Sequence, residues 1–234
     1  ARLVGVVILW RELDLSTIRW RWGLDGELLR LSLPAAGERL MMRAGDVVII
    51  AIVVVFGTDA VAGNAIGEVL TQFNYMPAFG VATATVMLVA HAVGEGDMQA
   101  VDLIRQRTFW LSFACMLPLA LGIFALGRPL TLLYTDNSGA ITASLSVILF
   151  SLLGTPMAAG TVIYTAVWQG LGNARLPFYA TTIGMWLIRI VSGYLLGVTF
   201  GLGLPGVWAG TLLDNGFRWL FLKVLYDRKM REIT

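Results

Sequence analysis

Six apolar stretches, each near or above twenty residues, set the limits on what this chain can fold into. They cover approximately 35–57, 61–92, 108–126, 141–169, 178–200 and 204–225. A helix needs about 20 residues to cross the hydrocarbon core of a bilayer. In lipid every backbone N–H and C=O needs an internal partner, so runs of this length predict spanning α-helices. Strands of a membrane barrel would be about 10 residues long with strict alternation, which is absent here. The composition agrees: 57% of residues are hydrophobic and 14% charged, with a mean hydropathy of +0.76. A soluble domain carries roughly 25% charged residues, and a soluble chain this apolar would aggregate through exposed patches. The expected fold class is an all-α polytopic membrane protein, a six-helix transmembrane bundle.

Glycine and proline punctuate the joins, at Gly57, Gly94 and Gly96, Gly127 and Pro129, Gly170 and Gly172, and Gly201 and Gly203. Pro77, Pro118 and Pro156 fall within the predicted helices, where each removes a backbone donor and favours a kink. Lys and Arg assign the sides. Arg11, Arg19, Arg21 and Arg30 precede the first helix; Arg105 and Arg107 lie between the second and third; Arg175 follows the fourth; Lys223, Arg228, Lys229 and Arg231 close the chain. With six spans all of these fall on one side, and the opposite loops hold only Arg128. The positive-inside rule makes that side, and both chain ends, cytoplasmic.

The chain starts at Ala1 without a methionine, and its first apolar run, 3–10, is too short to span and abuts Arg11 and Glu12. A signal peptide would need a basic start and a small-residue cleavage site, so the run reads as the end of an upstream membrane helix. Ile18-Arg19-Trp20-Arg21-Trp22 suits a segment lying in the headgroup layer better than base stacking, since it sits beside a membrane helix. With a net charge of +2, no nucleic-acid partner is expected. Cys115 is the single cysteine, read as a small packing residue that excludes an intrachain disulfide.

Ionisable residues inside membrane helices are costly and face a bundle interior or a wet cavity. There are four acids, Glu38, Asp46, Glu68 and Asp214, and four bases, Arg39, Arg43, Arg189 and Arg218. Arg39, Arg43 and Asp46 share a face of the first helix at i, i+4 and i+7, and Arg43 and Asp46 are spaced to pair. Glu68, Gln72 and Tyr75 repeat that spacing on the second helix, one turn before Pro77. Asp214 and Arg218 form an i, i+4 pair on the sixth. These stripes are expected to line one surface. Asp214–Arg218 reads as a structural pair, Arg189 as the partner of an acid, and Arg39 as a snorkelling residue near the helix end. Asp46 and Glu68 lie deeper. A buried carboxylate there carries a proton or holds Na⁺ through oxygen. His91, at the end of the second helix, reads as an ordinary helix-end residue. The sequence has no P-loop, no HExxH and no GxSxG, so neither an enzyme nor an ATP-driven pump is expected, and no metal or cofactor.

The loops are more specific. Leu88-Val89-Ala90-His91-Ala92-Val93-Gly94-Glu95-Gly96-Asp97, then Trp168-Gln169-Gly170-Leu171-Gly172-Asn173-Ala174-Arg175-Leu176-Pro177, then Trp186-Leu187-Ile188-Arg189 and Gly206-Val207-Trp208 together resemble the C-terminal lobe of a MATE (multidrug and toxic compound extrusion) transporter, over nearly the whole chain. The resemblance implies one lobe of a twelve-helix, two-lobe antiporter exchanging H⁺ or Na⁺ for cationic drugs and metabolites. Residues 1–10 would end an upstream helix and 11–33 form a cytoplasmic interlobe loop with an interfacial segment. Residues 34–226 would be the six-helix lobe and 227–234 a cytoplasmic tail. Its partners would be small organic cations, membrane lipid and the complementary N-terminal lobe. Some members use a glutamate early in helix seven, which brings Glu38 in as an ion-coupling candidate beside Asp46 and Glu68. An acid found in helix ten of some Na⁺-coupled members has no counterpart in 141–169. His91 stands where a glutamine is common. Asp46, Glu68, Gln72 and Tyr75 are expected to face the cavity, offering negative charge and an aromatic surface to a lipophilic cation, with Met76 as an adaptable contact. A lipid or lipid-linked oligosaccharide flippase of the same wider fold group, or a non-transporting membrane scaffold, are the rival readings.

Overall fold

Continuous apolar runs without a polar break leave the backbone no choice but to satisfy itself along the helix, and the computed structural model, which describes residues 26–233, follows that rule. The elements are α1 (Gly26–Val54), α2 (Thr58–Gly94), α3 (Met98–Ala125), the short α4 (Gly127–Leu132), α5 (Ser138–Gly170), α6 (Arg175–Thr199) and α7 (Gly203–Ile233). Among the described residues every regular element is helical. Four of the helices, α2, α3, α5 and α6, are long and apolar enough to cross a membrane by composition alone. α1 and α7 carry the charged residues that set them apart, Glu38, Arg39, Arg43 and Asp46 in one and Asp214 and Arg218 in the other. The apolar run 3–10 and the Arg/Trp segment 18–22 lie outside the described residues.

The helices outrun the apolar stretches that announce them. α3 begins at Met98, ten residues before the run at 108–126, because its start is fixed by a cap and not by lipid: the Asp97 carboxylate accepts a hydrogen bond from the Ala100 N–H at 2.9 Å. α7 continues through most of the segment expected to be a tail. Arg228-Lys229-Met230-Arg231 are good helix formers, and the bases favour a C-terminus. α1 starts at Gly26, inside the expected loop, and carries Pro34 within it. With 37 residues, α2 is about 55 Å long, well beyond the hydrocarbon thickness.

Residues from Leu31 onward form one compact unit. α5 is the helix the others surround: 56% of its most apolar window is buried, against 22% for α2 and for α3. Lipid removes the hydrophobic drive between helices, so close approach of small residues and interhelical hydrogen bonds hold the bundle. Gly63 and Gly67 of α2 lie against α5. A Cβ on Gly63 would collide with Ala143 and sit 2.5 Å from the Ala140 carbonyl oxygen. Gly206 and Gly210 of α7 press on Gly197 and Gly193 of α6; a Cβ on Gly206 would stand 2.6 Å from the Gly197 nitrogen. Two small-xxx-small motifs therefore face each other, a pairing the sequence reading missed. Asn74 donates to Thr155 at 3.3 Å between α2 and α5, and Trp168 Nε1 to the Leu222 carbonyl at 3.1 Å between α5 and α7. Outward, Val69, Phe73, Leu88, Trp110 and Leu187 are exposed, as a lipid-facing surface requires. Cys115 corrects the expectation of a packing residue: it is exposed, because the inward face of α3 is Val101, Thr108, Ser112, Met116 and Ala120.

Gly63→Val should force α2 away from α5 and cost about 1–3 kcal/mol, read as a lower Tm of the purified protein. Gly80→Ala, on the same helix with open space where its Cβ would go, should leave the Tm unchanged or higher.

Candidate functional site

The intramembrane charges gather where α1, α6 and α7 meet. Asp46 of α1 is held by two arginines: Arg43, one turn earlier, at 3.4 Å, and Arg189 of α6 at 3.6 Å. The Arg43 side chain is 80% exposed and the Arg189 side chain 13%, so Arg189 is the enclosed partner. Both contacts are longer than the roughly 2.7–2.9 Å of a tight charge-assisted hydrogen bond. Asp214 and Arg218 of α7 are closer, at 2.7 Å, and buried, with Arg218 also donating to Asn215 at 3.3 Å. This pair does not line an open surface as the stripe expectation had it; it is packed between helices, against the backbone of α6. Gly184 makes the room. A Cβ there would collide with the Asp214 carboxylate and stand 2.8 Å from Arg218 Cγ.

Gly184 also opens a π-helical turn, Gly184–Arg189, whose last residue is the arginine that reaches Asp46. A π turn widens the helix and re-aims the residues that follow; such turns are common at functional sites. The network keeps unused valence. Asp214 Oδ1, Arg218 Nε and Arg189 Nε are buried without a hydrogen-bond partner. Glu38, near the start of the apolar part of α1, accepts from Thr181 of α6 at 3.2 Å and lies within the field of Arg218 and Arg39. Tyr75 of α2 lies within that of Arg189, Arg218 and Asp214. Of the second stripe only Tyr75 comes near this network, and the Asp214–Arg218 stripe is sealed.

Glu68 is held differently. Its Oε1 accepts from Asn64 Nδ2 at 3.1 Å, and Asn64 Oδ1 accepts from Trp208 Nε1 of α7 at 2.9 Å. No arginine or lysine bridges Glu68 among the described residues. Glu68, Gln72 and Met76 are exposed and Tyr75 half-buried, stacked on Phe79 at 6.5 Å between ring centroids. Asn64 and Trp208 are site residues that the sequence reading did not single out. Asn64 sits four residues before Glu68, so the i, i+4 spacing that gave Gln72 also leads back to it. His91 is exposed and 3.5 Å from Glu95, a pair within one helix end.

This six-helix arrangement has known counterparts. A family model described as MatE matches residues 34–195. The chain belongs to the MatE family. Among MatE relatives it is 30% identical over 207 residues to the probable multidrug resistance protein NorM of Thermotoga maritima, covering 88% of this chain and 44% of that protein. It is 28% identical over 198 residues to the multidrug resistance protein MdtK of Photorhabdus laumondii, covering 82% of this chain and 43% of the relative. A crystal structure of a MATE in the straight conformation superposes with a TM-score of 0.83 at 19% identity, over all of this chain and 55% of that one. This MatE chain therefore spans about half the length of the relatives it matches, and its bundle corresponds to one lobe of such a transporter.

Asp214→Asn should leave a buried guanidinium without its counter-charge and cost about 3–5 kcal/mol, seen as a large drop in Tm or loss of folded protein. Replacing both members, Asp214→Leu with Arg218→Met, should recover most of that loss.

Proposed function

We propose that this chain is one lobe of a secondary-active antiporter that exports cationic or lipophilic drugs and metabolites in exchange for H⁺ or Na⁺. Its partner is a complementary six-helix lobe, and it sits in the plasma membrane with the basic ends of its helices in the cytoplasm. No catalysis is involved. The observation that carries the reading is the contrast between two carboxylates on a MatE scaffold. Glu68 is exposed and has a neutral partner, whereas Asp46 is committed to two arginines.

The contrast divides the labour. Glu68 offers its negative charge to an organic cation, with Gln72 as a polar contact, Tyr75 as aromatic surface, and Met76 as an adaptable one. A proton or Na⁺ taken up at Glu68 removes that charge and releases the cation. Asn64 Nδ2 still donates to the carbonyl oxygen of the protonated acid, so the site survives the exchange. Asp46 couples the event to α6: a cation that reaches Asp46 must displace Arg189, and Arg189 lies beside the Asp214–Arg218 pair. Such an exchange between two lobes rocking about a midplane site is the general pattern of transporters built from repeats. A flippase of pyrophosphate-linked lipid would want a surplus of cavity bases near the exposed stripe. There the ionisable group is an acid.

The test is ethidium accumulation in efflux-deficient cells expressing the complete two-lobe protein. The reading expects lower accumulation than in vector controls, returning to control when ion gradients are collapsed. Glu68→Gln should abolish efflux, and Asp46→Asn should reduce it at least tenfold, with normal membrane levels of both. Efflux that survives Glu68→Gln unchanged would sink the assignment of Glu68. No efflux by the wild type, with the protein present in the membrane, would move the reading to a lipid flippase or a scaffold.

A further inference from the structure

A recess lies at the end of the bundle that carries Arg105, Arg107, Arg228 and Lys229, between α3, α5 and α7. It measures about 190 Å³ and is lined by Arg105, Gln106, Phe109, Trp110, Tyr164, Trp219 and Lys223. Its lining holds two cations and no carboxylate. α3 leads away from this end and α7 returns to it, so the lining falls into two layers. Arg105, Gln106 and Lys223 form the outer one. Phe109, Trp110 and Trp219, one turn further in on either helix and so about 6 Å deeper, form the inner one.

Both layers are built. Arg105 is fixed: it donates to Asp102 and to the Tyr164 hydroxyl, each at 2.9 Å, and its guanidinium lies 5.2 Å from the Tyr226 ring centre. Its side chain is only 16% exposed. Lys223 is exposed and bridges no carboxylate among the described residues, so its charge is available. Beneath, Phe109 stacks on Trp219 at 5.9 Å and meets the edge of Trp110 at 5.5 Å, and Trp110 is 62% exposed on the outer face of α3.

We propose that this recess binds the phosphate of an anionic phospholipid, with Lys223 and Gln106 on the phosphate, Arg105, itself paired with Asp102, as the fixed polar floor behind it, and the acyl chains running down over Trp110. Cations above aromatics at one membrane level match the order of a lipid, headgroup outside and chain within, and basic pockets between spanning helices are where anionic headgroups settle. The neighbouring cleft carries Glu95, Asp97, Asp102 and Asp227 beside Arg105 and Arg231, so free phosphate entering by that side meets a lining with an excess of acids. The lipid arrives from the side, along the exposed Trp110. The inference rests on the membrane fold and not on the antiporter reading.

Native mass spectrometry of the purified two-lobe protein, titrated with phosphatidylglycerol and phosphatidylcholine of identical chains, tests it. Phosphatidylglycerol should bind roughly fivefold more tightly, the contribution of one surface base toward an anionic headgroup. Lys223→Gln should erase that preference and Lys223→Arg retain it. Trp110→Ala should weaken both lipids while keeping the preference. Equal binding of the two lipids, or a preference untouched by Lys223→Gln, would overturn the site. Displacement of phosphatidylglycerol by an equal concentration of glycerol phosphate would overturn its assignment to lipid.

Discussion

Asp214 and Arg218 meet at 2.7 Å in a place with no exposure for the carboxylate and 5% for the arginine, and the packing of α6 on α7 follows from keeping that pair enclosed. Two charges out of water are tolerated only with close geometry. Close geometry here needs a helix surface with no side chain on it, which Gly184 supplies. Above it, Gly193 and Gly197 meet Gly206 and Gly210, so α6 and α7 touch through backbone along most of their contact. The π turn that begins at Gly184 then delivers Arg189 toward α1. One buried pair thereby sets where the next arginine stands.

That arginine gives the two deep carboxylates different chemistry. Asp46 has its charge matched from inside the protein, at distances loose enough for the partners to separate. Glu68 has its position matched, by an asparagine that is itself pinned by Trp208, while its charge stays unopposed. A relay of neutral hydrogen bonds orients a carboxylate without neutralising it. Both arrangements lie on helices that contact α5 or α7, so a change at either acid is felt by the same inner helices.

The helices themselves were legible because lipid demands about twenty apolar residues from each, and that demand is written locally. Their ends were less so. Hydropathy marks where lipid stops, whereas α3 starts at the Asp97 cap and α7 runs on through Arg228 and Lys229. Within the site, Arg43 and Asp46, and Asp214 and Arg218, are neighbours in sequence and their spacing announced them. Arg189 stands 143 residues from Asp46, and no local pattern says which acid it meets. The π turn is likewise invisible to a 3.6-residue period. Trp208 carried the family resemblance, but its role appears only when α7 lies beside α2.

In the proposed antiporter Arg189 and Asp46 act as one unit, and a double-mutant cycle measures that directly. Ion-driven efflux by the two-lobe protein would be compared for Asp46→Asn, Arg189→Gln and the pair together, each normalised to membrane level. If the two residues are coupled, the double variant will lose no more activity than the worse single one. Losses that multiply, as for independent sites, would contradict the account, and Arg189 would then be a structural residue that merely lies near Asp46.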